Sequence, residues 1–505
     1  MQAKILQLIF KHSYRALVRK RETALKKQEE LWKEITSLAV NTSFGKAHRF
    51  DQIKNLSDFK RLVSIQSYES LEPMIAKMVQ GEKDILWPGK IEMFAKSSGT
   101  SNAKSKFIPL SKASLSENHY KGGRNILSIF CHEFPDRNIF ESKNVSVAGS
   151  FSKNEYGKKI GDLSSLLLAN LPQWVQLNRL PSISSALMLD WEGKIEIISN
   201  EILNEDIGSL SGVPSWNLLL LQKVLKKSGR KTLSEIWPNF QLYMHGGVNF
   251  EPYRKAYADL IGNPALVFLE TYNASEGFFA IQDRFQEGEN GMFLLCNHAV
   301  FYEFLPIKSI GNEKAKTLQL NEIDLGENYA LIITTKSGLW RYMIGDTIRF
   351  VSKDPFRIVL SGRVKYFINV FGEELIEDNA NEAIKNTCAM LNCSVDEFSV
   401  GPIFPEANGK GGHEWLIEFN VLPQSLEVFV NQLDLELQKT NSDYEAKRSA
   451  GLLLQLPVVK ILLKGTCYAW LKSKNKLGAQ HKVPRLQNHR KVIDELLKIK
   501  VFIKK

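Results

Sequence analysis

The chain carries, between residues 97 and 106, the stretch Ser97-Ser98-Gly99-Thr100-Ser101-Asn102-Ala103-Lys104-Ser105-Lys106, which lies between apolar segments. Gly99 permits a tightly turned backbone, and successive N–H groups in such a loop form a concavity that binds anions. The hydroxyls and two lysines add donors and positive charge. The stretch therefore predicts a loop that holds phosphates, with an ordinary surface loop as the alternative. It is not a P-loop, because the glycine spacing and the Gly-Lys-Ser/Thr ending are absent.

The length of 505 residues predicts two domains, or three, and the 44% hydrophobic content with 24% charged residues is typical of a globular protein. The five cysteines are scattered, without a Cys-x-x-Cys pair or a histidine set at metal-ligand spacing. This pattern argues against disulfides and structural zinc and favours a cytoplasmic location. No run approaches the roughly 18 apolar residues of a membrane span, so we expect no integral membrane segment. The sequence leaves the oligomeric state open, with a monomer as the expectation.

The N-terminus combines a short apolar patch with many basic residues, which follow it too closely for a signal peptide. Apolar side chains recur there at helical spacing and predict one or two amphipathic helices with a basic face: Ile5, Leu8, Ile9, Leu17, Ala24, Leu25, Leu31 and Ile35. That face contacts a membrane surface or nucleic acid, or it is simply solvated, and we favour solvation. The formal net charge of +11 suits anionic substrates. No RNA-binding signature or zinc-finger spacing accompanies it, so we expect no nucleic-acid partner.

Helical segments alternate with short β-rich runs after the first 90 residues, which read as mainly helical. This alternation predicts an α/β fold. The predicted strands are residues 145–148, 195–198, 265–269, 329–335 and 348–351.

A domain boundary is predicted near Gly362-Arg363, after a strand at residues 358–361. Beyond it we expect a helix at residues 377–391, a strand at 414–421 and a helix at 426–439. The chain would then divide into an N-terminal domain of residues 1–362 and a small α+β domain of residues 363–505.

The cluster Tyr272-Asn273-Ala274-Ser275-Glu276-Gly277 follows the predicted strand at 265–269. Polar residues there lie at the carboxyl edge of the sheet, where α/β proteins bind ligands. Tyr272 is suited to stack on a base, and Glu276 to hold Mg²⁺ beside phosphate oxygens. The alternative is a core tyrosine and a solvated glutamate.

A second cluster, Gly338-Leu339-Trp340-Arg341-Tyr342-Met343-Ile344-Gly345-Asp346, places an aspartate after a predicted glycine turn between two strands. Asp346 there can accept both hydroxyls of a ribose, or it is an ordinary turn aspartate. Arg341 pairs either with a carboxylate or phosphate of the substrates or with a surface acid.

A third cluster, Gln480-His481-Lys482-Val483-Pro484-Arg485, holds a lysine just before a proline-stiffened bend. Such a lysine can be delivered to a distant active site, although most lysines near a basic tail are solvated.

In this order and at these separations, the clusters resemble the GH3 family of acyl acid amido synthetases, a branch of the adenylate-forming enzymes. The resemblance rests on an SSGTS loop followed by Lys106 and Pro109, on a Y-x-x-S-E motif from Tyr272 to Glu276, and on a W-R-Y-x-x-G-D motif from Trp340 to Asp346. It extends through Phe304-Leu305-Pro306 and Ser361-Gly362-Arg363 to the Lys482 segment. It implies a large N-terminal adenylate-forming domain, with mixed sheets, flanking helices and a β-barrel-like part, and a smaller mobile C-terminal domain.

The resemblance also implies a role for each matching residue. ATP would contact Ser97, Ser98, Gly99, Thr100, Ser101, Lys106, Gly246, Gly247, Tyr272, Ser275, Asp346 and Arg363. Glu276 would hold Mg²⁺, Lys365 would be the hinge of the C-terminal domain, and Lys482, Glu276 and Arg341 would be catalytic.

The implied reaction is adenylation of a small carboxylic acid by ATP, followed by transfer of the acyl group to an amine such as an amino acid. Two departures from the family pattern, Ala103 for a glycine and Trp340 for a tyrosine, remove no group that this chemistry needs. No residue stands out as the base for the second step. His245 is a candidate, but we favour a structural role for it. Phe301, Tyr302 and residues 164–174 are guesses for the acid pocket. The alternatives are an acyl-CoA ligase and a non-enzymatic nucleotide-binding protein at a membrane surface.

Overall fold

The structure of the protein is a computed structural model. It describes residues 2–17, 20–97, 106–247, 250, 254–286, 288–312, 315–364, 367–368, 373, 375–403, 411–441, 444–445, 448, 454–474, 482–487 and 489–499.

Strands occur throughout the described ranges after residue 92. They are β1 (Met93–Ser97), β2 (Lys106–Leu110), β3 (Lys143–Ser146), β4 (Phe151–Lys153), β5 (Lys159–Gly161), β6 (Arg179–Leu180), β7 (Ile207–Gly212), β8 (Leu242–Gly246), β9 (Val267–Ala274), β10 (Gly277–Gln282), β11 (Met292–Leu294), β12 (Val300–Pro306), β13 (Asn328–Thr335), β14 (Tyr342–Lys353), β15 (Phe356–Arg363), β16 (Phe367–Ile368), β17 (Leu375–Ile376), β18 (Ser394–Ile403), β19 (Gly412–Val421) and β20 (Val458–Leu462).

Helices cover both ends of the chain and the connections between strands. They are α1 (Gln2–Ser13), α2 (Arg21–Leu38), α3 (Ser43–Ala47), α4 (Leu56–Leu62), α5 (Tyr68–Val79), α6 (Lys112–Ser114), α7 (Tyr120–Glu133), α8 (Leu163–Ala169), α9 (Gln173–Leu177), α10 (Ile183–Ala186), α11 (Trp191–Ile202), α12 (Pro214–Ser228), α13 (Arg254–Ile261), α14 (Glu377–Leu391), α15 (Leu426–Thr440), α16 (Thr466–Ser473) and α17 (Lys491–Lys498).

The largest sheet has eleven strands in the order β12-β13-β14-β15-β11-β10-β9-β8-β7-β3-β6. Strands β6, β3, β7, β8 and β9 are mutually parallel, and α11, α12 and α13 pack on them around Trp237 and Tyr243. In the other half of the sheet each strand is antiparallel to its neighbours, in the order β9-β10-β11-β15-β14-β13-β12. The core on this half includes Trp340 and Phe304. Within the described residues this sheet is open, so the expected barrel-like part is the antiparallel half of an open sheet.

The first 90 residues are mainly helical, as predicted, because polar side chains cap short amphipathic segments. Asn55 accepts a hydrogen bond from the Asp58 N–H at the start of α4, and Ser67 and Ser70 form a capping box on α5. These helices pack over a four-stranded sheet of order β2-β1-β5-β4, whose residue Phe94 is fully buried with Trp32 and Ile75 in the same core.

The last part of the chain forms an α+β unit with its own core. Strands β18, β19 and β20 form a sheet on which α14 and α15 pack around Trp415, Phe429 and Leu433. The helix predicted at 377–391 and the elements predicted at 414–421 and 426–439 are confirmed to within two residues as α14, β19 and α15. The domain boundary at Gly362-Arg363 stays a prediction.

One predicted strand is wrong: residues 195–198 lie inside α11. The Asp190 side chain accepts a hydrogen bond from the Gly193 N–H and starts the helix, and Ile198 and Ile202, four residues apart, are both fully buried on one face. The predicted strands at 145–148, 265–269, 329–335 and 348–351 overlap β3, β9, β13 and β14.

Among the described helices, none has both the length and the apolar character needed to cross a lipid bilayer.

Candidate adenylation site

The carboxyl end of β8 requires glycine because of how closely β9 approaches it. A Cβ atom on Gly246 would lie 2.4 Å from the carbonyl oxygen of Thr271, far inside contact distance. Gly247 follows with φ of +81°, a left-handed conformation that favours glycine. Gly246 is paired with Thr271, the residue before Tyr272, so the predicted glycine turn and the predicted adenine-stacking tyrosine are neighbours.

Tyr272 and Asp346 are in direct contact. The Tyr272 hydroxyl donates a hydrogen bond of 2.7 Å to Oδ2 of Asp346, and the two residues are only 4% and 7% exposed. Their strands, β9 and β14, are separated by three other strands in the sheet order. In a flat sheet the distance between two such strands is about 19 Å. A tyrosine and an aspartate cannot bridge that distance, so the antiparallel half of the sheet curls until its strands face one another.

Asp346 lies within β14 and not in a turn between strands, which corrects the sequence interpretation. Gly345 precedes it with φ of +93°, and the pairing of β13 with β14 is irregular between Ala330 and Ile332. This local bulge explains why a glycine occurs there without ending the strand. Arg363, the last residue of β15, is the register partner of Asp346, so the two predicted ribose-binding residues are adjacent.

Ser275 and Glu276 form the two-residue turn of the β9–β10 hairpin, in which Ala274 pairs with Gly277. Both are buried, at 5% and 9% exposure, although hairpin turns usually lie on the surface. The Asn118 side chain accepts a hydrogen bond of 2.6 Å from the Phe278 N–H and fixes the start of β10. Because the Glu276 carboxylate is buried, a ligand-binding role fits it better than the alternative of a solvated surface glutamate.

The predicted phosphate loop connects two paired strands. Ser97 ends β1 and is the register partner of Lys106, which begins β2. The ammonium of Lys106 lies 5.3 Å from the ring centroid of Tyr68, whose hydroxyl accepts a hydrogen bond of 2.8 Å from the Phe107 N–H. Ser98, Gly99, Thr100 and Ser101 lie outside the described residues, as does the predicted hinge residue Lys365.

Arg341 is buried and all of its N–H donors are used within the protein. Its guanidinium donates to both carboxylate oxygens of Glu303, at 2.9 and 3.0 Å, and to the Thr317 hydroxyl at 3.0 Å. It also donates to the carbonyl oxygens of Lys60 and Val63 at 3.1 and 2.6 Å. This geometry gives Arg341 the role of joining strands and loops, and leaves it no donor for a substrate.

His245 is a core residue in β8. Its ring stacks on Phe250 with centroids 4.1 Å apart, and burial lowers its pKa to about 3, helped by the nearby charge of Arg254. Phe301 and Tyr302 are likewise core residues of β12, at 3% and 1% exposure. Asn118 and Glu303 carry no local sequence signal, because their partners are 160 and 38 residues away.

Lys482 is exposed and lies in the C-terminal unit, where its charge acts on Glu397. Its segment runs along β18, where Val400 and Leu486 form a parallel bridge.

The chemistry of this donor set fits ATP. The Tyr272 ring lies next to the Gly246 turn and is hydrogen-bonded to the Asp346 carboxylate, and Glu276 lies in the turn that follows the same strand, β9. Within the described residues no group of three His, Cys, Asp or Glu side chains converges as a metal cage. A single carboxylate nevertheless suits Mg²⁺ bound mainly through phosphate oxygens.

Family models match most of the chain. The GH3 family N-terminal domain matches residues 14–266, the GH3 family central domain residues 293–363, and the GH3 family C-terminal domain residues 378–491.

Curated relatives align over nearly the full length. The indole-3-acetic acid-amido synthetase GH3.3 of Arabidopsis thaliana is 22% identical over 91% of this chain and 88% of its own. The jasmonoyl--L-amino acid synthetase GH3.5 of Oryza sativa subsp. japonica is 22% identical over 92% of each chain.

Solved structures share the fold. The GH3.15 acyl acid amido synthetase superposes with a TM-score of 0.77 at 16% identity, covering 95% of this chain and 94% of its own. A 2-hydroxyisobutyryl-CoA ligase superposes with a TM-score of 0.60 at 12% identity, over 95% and 93%. The fold is thus the mixed α/β fold of these enzymes, and the chain belongs to the GH3 family.

Proposed function

We propose that the protein is an ATP-dependent ligase that adenylates a small carboxylic acid and transfers the acyl group to an amine, in the first instance an amino acid. The observation that carries this proposal is the Tyr272–Asp346 contact, which joins an aromatic ring and a carboxylate in one buried place near the Gly246-Gly247 turn. An aromatic ring and a carboxylate close together can bind the base and the ribose of a nucleotide, and burying a charged carboxylate is costly unless it is paired or hydrogen-bonded.

The relatives support the same reaction class. Those aligned with this chain are named as amido synthetases for indole-3-acetic acid, a jasmonoyl--L-amino acid synthetase and a 4-substituted benzoates-glutamate ligase. They differ in the acid, so the acid used by this protein is left to experiment.

We assign ATP contacts by position. Ser97, Ser98, Gly99, Thr100, Ser101 and Lys106 would hold the β- and γ-phosphates; Tyr272, Gly246 and Gly247 the adenine; Asp346 and Arg363 the ribose. Ser275 and Glu276 lie in the buried turn next to Tyr272, and Glu276 would hold Mg²⁺, which neutralises phosphate charge when bound.

The first half-reaction joins the acid to AMP. The substrate carboxylate attacks the α-phosphorus and pyrophosphate leaves, a reaction that depends on orientation and on neutralising phosphate charge. Lys482 would supply a positive charge at the α-phosphate. Because Lys482 lies in the C-terminal unit, this role requires that unit to move about the predicted hinge at Lys365. Arg341 acts only by holding β14 in place, through Glu303.

In the second half-reaction the amine attacks the acyl carbonyl and AMP leaves. The amine must lose a proton, and we assign no base for it. His245 is unsuited because its ring is stacked inside the core. We also propose a cytoplasmic location, since all five cysteines are unpaired.

The test is an acid-dependent exchange of pyrophosphate into ATP, measured with a panel of aliphatic, aromatic and indolic acids. At least one acid is expected to give exchange, and that acid with an amino acid mixture is expected to give an amide and AMP. Thioester formation with coenzyme A and no amide would favour an acyl-CoA ligase. Binding of ATP without exchange for any acid would contradict the proposal and favour a non-enzymatic nucleotide-binding protein.

A further inference from the structure

Residues 482–487 are fixed along β18 by backbone hydrogen bonds. The Val400 N–H donates to the Arg485 carbonyl at 2.6 Å, and the Gln487 N–H donates to the Val400 carbonyl at 3.2 Å. The Ser399 hydroxyl donates to the Pro484 carbonyl at 2.7 Å. These bonds set the position of the segment but end two residues before reaching Lys482.

The Arg485 side chain is the second attachment of this segment, and it is directed to α14. Its Nη1 donates to Oδ1 of Asn381 at 2.5 Å, its Nε lies 3.8 Å from a Glu377 carboxylate oxygen, and its Nη2 donates to Glu397 at 3.4 Å. The guanidinium also lies 4.6 Å from the ring centroid of Phe398, where a planar cation is stabilised by the aromatic face. A lysine at this position could not make this set of contacts.

Helix α14 connects this attachment to the proposed nucleotide site. It begins at Glu377, next to Gly362 of β15, where a Cβ would lie 2.9 Å from the Glu377 Cβ. The adjacent Asp378 pairs at 3.4 Å with Arg349 of β14, three residues after Asp346. Helix α14 therefore contacts β14 and β15, the strands that carry Asp346 and Arg363. It also contacts Arg485, which lies three residues after Lys482.

We propose that Arg485 is a positioning residue for Lys482: by tying the segment to α14 and to Glu397, it sets where the Lys482 ammonium lies. Glu397 connects the two cations, because the charges of both Arg485 and Lys482 act on it and oppose the rise in its pKa that burial causes. Without Arg485, this carboxylate is available to pair with Lys482, and we expect the ammonium to be held at Glu397 instead of being available to a phosphate.

This inference rests on the proposed function, because it gives Lys482 a task in the first half-reaction. Arg485→Ala is expected to slow acid-dependent pyrophosphate exchange about 100-fold, the cost of a misplaced catalytic group. Amide formation from supplied acyl-AMP is expected to stay within about threefold of wild type. In a double-mutant cycle, Arg485→Ala should cost little further in a Lys482→Ala background, since Arg485 is proposed to act only through the Lys482 ammonium.

Arg490→Ala is the matched control. Arg490 is also partly buried, and it donates to the Pro402 carbonyl at 3.0 Å and to Glu414 at 2.5 Å, without touching residues 482–487. Arg490→Ala should lower the thermal stability by about as much as Arg485→Ala does, and it should affect both half-reactions to the same extent. Equal loss of both half-reactions in Arg485→Ala, or full additivity with Lys482→Ala, would overturn the positioning role.

A second readout needs no substrate. Lys482 is acetylated with an amine-reactive ester and its labelling rate is followed by peptide mass spectrometry. Arg485→Ala should slow the labelling of Lys482 about threefold, the effect of a new exposed ion pair with Glu397, while Arg490→Ala should not. If no acid supports exchange but this change occurs, the proposed function fails and the positioning role stands. An unchanged labelling rate refutes the positioning role.

Discussion

Two hydrogen bonds join the guanidinium of Arg341 to the carboxylate of Glu303, across 38 residues of chain and with both side chains almost completely buried. Three more donors of Arg341 are taken by the Thr317 hydroxyl and two backbone carbonyls. Such a pair stabilises a protein only while it is complete, because removing one partner leaves a buried charge without compensation.

Arg341→Ala is therefore expected to lower the free energy of unfolding by about 3 to 5 kcal/mol, measured by urea denaturation. Arg357→Ala is the control, since Arg357 makes a similarly buried pair with Asp283 at 2.8 Å. Both variants should lose stability, and the folded fraction of Arg341→Ala should keep pyrophosphate exchange within about tenfold of wild type. A variant that is as stable as wild type yet inactive would restore Arg341 to the catalytic residues.

Asp346→Ala is expected to raise the KM for ATP about 10- to 100-fold, because each hydrogen bond from a ribose hydroxyl to a carboxylate contributes about 1.5 to 3 kcal/mol. Tyr272→Phe keeps the ring and should leave that KM within about threefold, whereas Tyr272→Ala should raise it at least about tenfold by removing the stacking surface. Asp324→Ala, at an exposed carboxylate paired with Lys353, is the control. An unchanged KM in Asp346→Ala would remove Asp346 from the nucleotide site.

His245 predicts a loss of stability in acid. Burial lowers its pKa from 6.5 to about 3. Between pH 6.5 and pH 3, therefore, this histidine is protonated in the unfolded chain and neutral in the folded protein. Above pH 6.5 this effect is absent; at pH 4 it destabilises the folded protein by about 3 kcal/mol. His245→Gln should therefore gain stability relative to wild type as the pH falls from 7 to 4 in denaturant titrations. His489→Gln, at an exposed histidine, is the control for the substitution itself. A stability curve for His245→Gln that runs parallel to wild type would contradict the burial.

Gly246→Ala tests the close approach of β8 and β9. A Cβ 2.4 Å from a backbone carbonyl forces the strands apart, which costs about 1 to 3 kcal/mol or more and should weaken ATP binding measured by calorimetry. Gly229→Ala, with φ of +68° and open space around it, should cost only about 1 kcal/mol for the backbone conformation and leave ATP binding intact. Equal effects of the two substitutions would mean that contact with Thr271 does not matter.

The spacing of apolar and polar residues predicted the helices and strands better than it predicted the contacts between them. The helix α14 and the strand β13 were predictable because their apolar spacing and flanking polar residues act within a few residues. Residues 195–198 have the composition of a strand, since three of the four are isoleucine and the fourth is glutamate. The signal that decides for a helix is the capping Asp190.

The site shows the same division. Tyr272, Glu276 and Asp346 stand out as residue types, and the position of Tyr272 and Glu276 near the end of β9 follows from the predicted fold, whereas Asp346 lies inside β14. Their contact does not, because it depends on the order in which β9, β10, β11, β15 and β14 pair. Arg341 looked like a catalytic group for a related reason: Glu303 and Thr317, which take up its donors, lie in segments that no local pattern connects to it.

The curl of the eleven-stranded sheet has a kinetic consequence. Tyr272 and Asp346 are 74 residues apart in the chain, and they meet only when every strand between β9 and β14 has found its partner. Contacts of such long sequence separation form late, because the entropy of closing the intervening loops must be overcome first. We therefore expect the proposed nucleotide pocket to be among the last features to form during folding, so that ATP binding would distinguish the completed sheet from a partly assembled intermediate.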